Sequence, residues 1–297
     1  MPIKLTKIDT ASPALVLTGP NSIAIKAGLV IASESWSVTI ENETPVELVD
    51  PVAGQDYAVV VNMAGEAKAL PYDDADHAIV IGGFHYAPGG NAAARSGGDA
   101  TPQINPYSVW DQNFRPACID PRGMALVDGR FWADIYLLGV NHHESGTSRY
   151  AVQIADGRTP PFKPDSIETY DEYEFTWFAA NEVFAHHGKT LLSVIDFFDA
   201  MFGVTEETSA GDDPDGTGLD APRTSKWGIM QATGNMWTWG HDGDPDKQHA
   251  YILGGGWADA SYAGSRASHW VDYPWNSSVD VGARGRSDHL NLDELAR

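Results

Sequence analysis

Along the first eighty residues, apolar and polar positions alternate in short runs: PALVLTG, SIAIKAG, LVIASESWSVTI, DYAVVVNMA and HAIVIGGF. A period of two over a few residues, with Gly, Pro, Asn and Asp between the runs, predicts short strands joined by turns. Packed face to face, they predict a β-sandwich domain over residues 1–82. The next stretch, GGFHYAPGGNAAARSGGDATPQINPYS, is dense in Gly, Pro and Ala and carries no period, which predicts a connecting segment over 83–112.

From residue 113 to 297 the pattern belongs to a second domain. Two helices are expected. One runs through EYEFTWFAANEVFAHHG (172–188), with Gly188 as its C-terminal stop. The other is TLLSVIDFFDAMFG (190–203), whose Leu191, Leu192, Ile195, Phe198 and Phe202 share one face while Asp196 and Asp199 take the other. Two acidic loops follow, EETSAGDDPDGTGLDAP and HDGDPDKQH, and after Ser225 only short strands and Trp/Gly punctuation remain. The whole is an α+β chain, a sandwich followed by a domain with few helices and much irregular backbone.

Composition narrows the function classes. With 297 residues the chain has room for a sizeable core, and its formal net charge is −22. That balance excludes nucleic acid as a partner, because phosphate binding relies on Lys and Arg, and it disfavours anionic lipid. No apolar run suffices for membrane insertion, since FWADIYLLGV is broken by Asp134, and no signal peptide opens the chain. Cys118 is the single cysteine, so neither an intrachain disulfide nor a Cys-based zinc site is available, and it reads as a small buried apolar residue.

Catalytic chemistry finds no place in the sequence. GxSxG, HExxH, P-loop and dinucleotide fingerprints are all missing, so no catalytic residue is assigned and the chain is not expected to be an enzyme. The pairs His142–His143 and His186–His187 would point to different faces of one element, so no metal site is assigned to them. Asp212, Asp213, Asp215 and Asp220 lack the spacing of an EF-hand loop. No cofactor is expected, structural Ca²⁺ on loop carboxylates being the one exception.

Nine of the ten tryptophans follow residue 100, and six fall between 227 and 275. In GNMWTWG, LGGGW and WADASYAGSRASHW, the expectation is that Trp237, Trp239, Trp257 and Trp270 are buried anchors. The small residues between Trp257 and Trp270 would then be displayed outward, as on a recognition surface.

The order GNMWTWG, LGGGW, VGARGR resembles the C-type-lectin-like fold of formylglycine-generating-enzyme relatives. The strings VIGGFHYAPGGNAAA, FRPACIDPRGM, FWADIYLLGVNH, TSKWGIMQATGNMWTWG, GSRASHW and VGARGRSDHL cover nearly the whole chain and resemble the family of the major tropism determinants of Bordetella phages. These are receptor-binding proteins at tail-fibre tips, diversified by a retroelement. The departures are the absence of the family's N-terminal β-prism, Ser287 in place of a cysteine, and a C-terminus running on as NLDELAR.

The resemblance implies a variable region at about 256–281. Its receptor-binding, exchangeable positions would be Gly256, Ala258, Asp259, Ala260, Tyr262, His269, Val271, Asp272, Asn276, Ser278, Asp280 and Val281. Retroelement exchange yields NNY codons, which cannot encode Met, Gln, Lys, Glu or Trp, and none of the twelve is one of these. The resemblance further implies a homotrimer at the virion's tail-fibre tip, with a host cell-surface protein or glycan and other tail-fibre proteins as partners. The alternatives are a formylglycine-generating-type or iron-dependent oxidase, which a lone Cys118 disfavours, and a cellular surface-display binding protein.

Overall fold

The computed structural model of the chain describes residues 3–162, 174–244 and 249–295. Its N-terminal region holds two sheets. The smaller has the order Lys4–Thr6, Leu29–Ala32, Ser37–Ile40. The larger runs Gln103–Ile104, Val80–Ala87, Gln55–Val61, Ala67–Pro71, Thr44–Glu47, Ser22–Ile25, Leu15–Gly19, with Trp110–Asp111 also paired to Val80–Ala87. Every pair in these two sheets is antiparallel except Thr44–Glu47 with Ala67–Pro71.

The alternation in DYAVVV explains the packing. Tyr57, Val59 and Val61 join Leu5, Ile31 and Ile40 of the smaller sheet in one core, which makes the sandwich. Ala58 and Val60 point the other way, into a second core with Trp110, Phe114, Cys118, Met124 and Trp132. A strand covered on both faces reads as a continuous apolar run, as this one does.

The boundary expected at residue 82 falls inside the strand Val80–Ala87, which is buried along its whole length. Residues 83–87, 103–104 and 110–111 therefore belong to the sheet, while 88–102 are irregular. Gly82 and Gly83, at the end of the expected strand run HAIVIGGF, mark close backbone approach. A Cβ on Gly82 would lie 2.2 Å from the carbonyl oxygen of Trp110, and one on Gly83 2.5 Å from that of Tyr57. The two halves are also joined by side chains: His85 bonds Asp56 through Nδ1 (2.8 Å) and the Tyr136 hydroxyl through Nε2 (3.0 Å).

The C-terminal region adds two more sheets. One has the order Phe114–Pro116, Gly285–Asn291, Phe131–Asp134, Met124–Val127, with Thr190–Leu191 on the second strand. The other runs Ser268–Asp272, His249–Leu253, Trp237–Asp244, Val281–Gly282, the last pair parallel. Four helices are described: α1 (His142–Ser145), α2 (Trp177–His186), α3 (Val194–Ala200) and α4 (Leu292–Leu295). None is long and apolar enough to cross a membrane.

The helix α2 is capped by the Thr176 hydroxyl, which accepts from Ala179 N–H, and Gly188 follows it at φ 72°. The expected start at Glu172 lies outside the described residues. Ser193 caps α3, which is shorter than expected because Thr190–Leu191 is strand. Within α3, Phe197 and Ala200 go inward, while Ile195 is exposed. The expected face through Ile195 and Phe202 was drawn through residues that do not belong to one helix.

Cys118 is buried, as expected, and burial pushes its thiol above the ordinary range. Its backbone N–H donates to the Ser287 hydroxyl (2.9 Å). Two buried cations hold the irregular backbone. Arg284 donates from Nη1 to the carbonyls of Asp134 and Ile135 and from Nη2 to those of Met230 and Gln231, at 2.8–3.1 Å. Burial lowers its guanidinium to about 9, which leaves it charged at neutral pH. Lys189 pairs with Asp134 at 2.7 Å, both fully buried. Burial works against the Lys189 charge, while the facing Asp134 carboxylate and further neighbours oppose it, and the balance holds the ammonium above its ordinary range.

Candidate functional site

Residues 256–281 form the outer part of the four-stranded sheet and the loops on either side of its edge strand, Ser268–Asp272. The segment is held by its backbone. The carbonyl of Trp257 accepts from Gly211 N–H (2.9 Å) and from the Ser209 hydroxyl (2.7 Å). Ala263 is buried against Gly255, whose φ of 83° and lack of a Cβ permit the contact. Ser265 donates its backbone N–H to Glu206 (2.9 Å). Further on, the Pro274 carbonyl accepts from Trp177 N–H, the Ser277 hydroxyl from Phe175 N–H, and the Ser278 carbonyl from Gly157 N–H.

Between these supports, side chains project. Ala258, Ala260, Tyr262, His269 and Asn276 are exposed, with Tyr262 at 82 %. They are five of the twelve expected positions. Asp259, Ser278 and Asp280 are half-buried and committed to their own loops. Asp259 accepts from Gly256 N–H (2.6 Å), and the Ser278 hydroxyl bonds the Asp280 carboxylate.

Two positions differ from the expectation of display. Gly256 is buried, and a Cβ there would sit 3.2 Å from the Trp237 ring and 3.4 Å from Asp259. Val281 is buried because it is a strand residue, paired with Trp237 and packed in the core under α2. Val271 and Asp272 lie on the edge strand, but their side chains fall outside the described ones.

The anchors also divide. Trp239 is fully buried, while Trp237 and Trp257 are half-buried against core clusters. Trp270 is not an anchor. It sits on the edge strand at 55 % exposure, with its ring 5.1 Å from that of His249. Tyr273 and Trp275 stack on each other at 5.2 Å and are also about half exposed. The exclusion of Trp from NNY codons bears on exchange, and it says nothing about burial. Trp270 is exposed on the edge strand of its sheet.

The result is a surface with four exposed aromatics, Tyr262, Trp270, Tyr273 and Trp275, among small and polar residues. Rigid aromatics offer contact area with few rotors to freeze, and polar neighbours supply adaptable hydrogen bonds. Such a surface can bind.

Elsewhere, the acidic loop is partly engaged with arginines: Asp213 with Arg158 and Asp220 with Arg223. Among the described residues, the group with metal-ligand spacing is His143, His186 and His187. Reasoning from faces of one element failed there, because His186 ends α2 and His187 already leaves it at φ −104°, ψ 10°. Burial, with the neighbouring imidazoles adding to it, pushes both His143 and His187 down to about 4.

Three comparisons bear on this geometry. Residues 13–111 match the family described as Mtd second domain. A tail fiber receptor-binding protein of Bordetella phage BPP-1 is 42 % identical over 97 % of this chain and 85 % of its own length. Among solved structures, the Major Tropism Determinant I1 variant superposes with a TM-score of 0.90 at 40 % identity, covering 98 % of this chain and 87 % of that one. The U1 variant gives 0.89 at 39 %, covering 97 % and 86 %. The fold is thus the sandwich and C-type-lectin-like arrangement of those proteins.

Proposed function

The chain belongs to the major tropism determinant family, and we propose that it is a receptor-binding protein of a phage tail fibre that recognises a host-surface protein or glycan. The observation that carries the reading is the arrangement of 256–281. Its backbone is tied to Glu206, Ser209, Gly211, Phe175 and Trp177, all outside the segment, while Tyr262, His269 and Asn276 face solvent. Supports that lie elsewhere allow displayed side chains to change without unfolding the loop.

The surface is small and mixed in polarity, so a single copy binds weakly. A homotrimer presenting three such faces multiplies the apparent affinity through effective concentration without a new contact. Retroelement exchange acts on the displayed positions Ala258, Ala260, Tyr262, His269 and Asn276, and the aromatics Trp270, Tyr273 and Trp275 form a constant part of the same surface. Formylglycine-type oxidation is disfavoured, since its cysteine pair has no counterpart beside the buried Cys118.

The test is adsorption. Fluorescently labelled protein is incubated with a panel of bacterial cells to find a binding strain, and the measurement is repeated after Tyr262, His269 and Asn276 are replaced together by Ala. The expected result is lost binding with an unchanged melting temperature. Binding that survives this change and instead follows substitutions in residues 1–82 would place recognition elsewhere. A second copy of the 3′ coding end, with adenines at the exchangeable codons and a reverse-transcriptase gene beside it, is the genomic sign expected of diversification.

A further inference from the structure

At the far end of α2 from the displayed surface, three imidazoles meet. His143 belongs to α1, His186 is the last residue of α2, and His187 is its C-cap. His143 Nδ1 lies 3.1 Å from His187 Nε2, and one ring nitrogen from each of the three residues falls within 4.8 Å of the others. The rings of His143 and His186 are 5.4 Å apart at 81°, and those of His186 and His187 5.0 Å apart at 82°.

Local backbone geometry makes this meeting possible. The one-turn α1 ends at Gly146 in the left-handed region, and the His187 ring lies where a side chain would be: a Cβ on Gly146 would stand 2.6 Å from its Nδ1. Gly188, at φ 72°, then turns the chain away into the strand Thr190–Leu191. Behind the cluster sits His142, fully buried, its ring 5.2 Å from that of His187. Neither of its ring nitrogens has a hydrogen-bond partner among the described residues.

We propose that His143, His186 and His187 bind a divalent transition-metal ion of the zinc type, which clamps α1 to the C-terminal end of α2. Tetrahedral zinc with nitrogen ligands at about 2.0–2.1 Å holds those nitrogens about 3.3 Å apart. The His143–His187 pair already has that spacing, and the exposed His186 ring closes the rest by rotation. Three neutral nitrogens with no carboxylate among them select Zn²⁺, Ni²⁺ or Cu²⁺ over Ca²⁺ and Mg²⁺, which take oxygen ligands. Exposure rises from the buried His187 through the half-buried His143 to His186. An ion can therefore enter from solvent and keep a water as its fourth ligand.

The ion's place in the molecule follows from α2. Its first residue, Trp177, supports the displayed segment at Pro274, while its last residue is a ligand nine residues, or about 13.5 Å, away. The clamp would steady this support from the end opposite the recognition surface.

The experiment uses the untagged full chain, stripped with chelator and desalted, with zinc chloride alone as the probe. Calorimetric titration and elemental analysis should give one zinc per chain, with a melting temperature that rises on loading. Cobalt in its place should show the visible absorption of a tetrahedral field. His186→Ala removes an exposed side chain and so spares the fold. Loss of an outer partner of a ligand alone weakens metal sites by about 10–100-fold, so loss of this ligand should weaken zinc binding by at least about tenfold. His143→Ala should do the same. Absence of stoichiometric zinc in the parent chain, or uptake unchanged in the double variant His143→Ala/His186→Ala, would overturn the proposal.

Discussion

The N-terminal sheets and the C-terminal loops satisfy their backbones in opposite ways. In residues 15–87 most backbone polar groups pair strand to strand, as in the run of partners between Gln55–Val61 and Val80–Ala87. In the C-terminal region much of the chain is irregular, and side chains distant in sequence take over. Arg284 serves four carbonyls, Asn105 donates to the Trp227 carbonyl, and Glu206 receives the N–H of Ser265. A sheet specifies itself through a repeated pattern, whereas irregular backbone depends on a few individual polar residues, each without a substitute. Such a design separates support from display, which is what an exchangeable surface needs.

The sharpest way to break the irregular half is to remove its central donor. Arg284→Met keeps much of the side-chain volume but removes a donor from four buried carbonyls, of which that of Ile135 still accepts from Met230 N–H. The expected loss is about 4 kcal/mol or more, read as failure of the C-terminal region to melt cooperatively in calorimetry. The Asp134–Lys189 pair gives a second measure. Asp134→Asn alone should destabilise by about 3 kcal/mol, because Lys189 keeps a buried charge with no counterion. Adding Lys189→Met should recover most of that loss, and a denaturation series on the single and double variants checks it. A double variant no more stable than the single one would mean that the pair is not the source of the penalty.

This division explains what was legible in the sequence. Period-two runs located most sandwich strands, and Gly188 marked the end of α2, because those signals are local, while the described residues 174–176 lie ahead of the helix that was expected to include them. The strands Lys4–Thr6, Thr44–Glu47 and Ala67–Pro71 were missed. The connecting segment was expected to begin inside the strand Val80–Ala87, where Gly82 and Gly83 are close-contact residues, while 88–102 is irregular chain. At the recognition segment, the placement of Tyr262, His269 and Asn276 agrees with display, while Gly256, Val281 and Trp270 were misplaced. Their placement depends on pairing between strands distant in sequence, such as Trp237 with Val281 and Ile252 with His269. The histidine cluster was hidden for the same reason: its members meet across the end of one helix and the body of another.

The regular half has its own weak point, smaller in effect. Gly83→Ala would push a Cβ against the Tyr57 carbonyl and the Trp110 ring in the middle of the larger sheet. The expected penalty is about 2–3 kcal/mol, within the range of overpacking, and it should appear as a lower denaturant midpoint. A negligible change would show that the sheet can open at this strand, contrary to its burial on both faces.

The smallest stability effects belong to the displayed surface, and there the comparison is sharpest between two tryptophans. Trp257 is half-buried and packs on Leu137, Ile154 and Met236, so its replacement by Ala should destabilise by about 2 kcal/mol. Trp270 is mostly in solvent, and the same change should alter stability by under about 1 kcal/mol. Tyr262 is more exposed still and should alter it by under about 0.5 kcal/mol. Binding should follow the reverse order. Trp270→Ala or Tyr262→Ala removes a rigid contact and should weaken host-cell binding by about 1–2 kcal/mol per site. Equilibrium binding of the labelled chain to the strain identified by adsorption, set beside melts of the same variants, measures both quantities. Should Trp257→Ala abolish binding while leaving the melt untouched, support and display would not be separate in this segment, and its tolerance of exchange would need another physical basis.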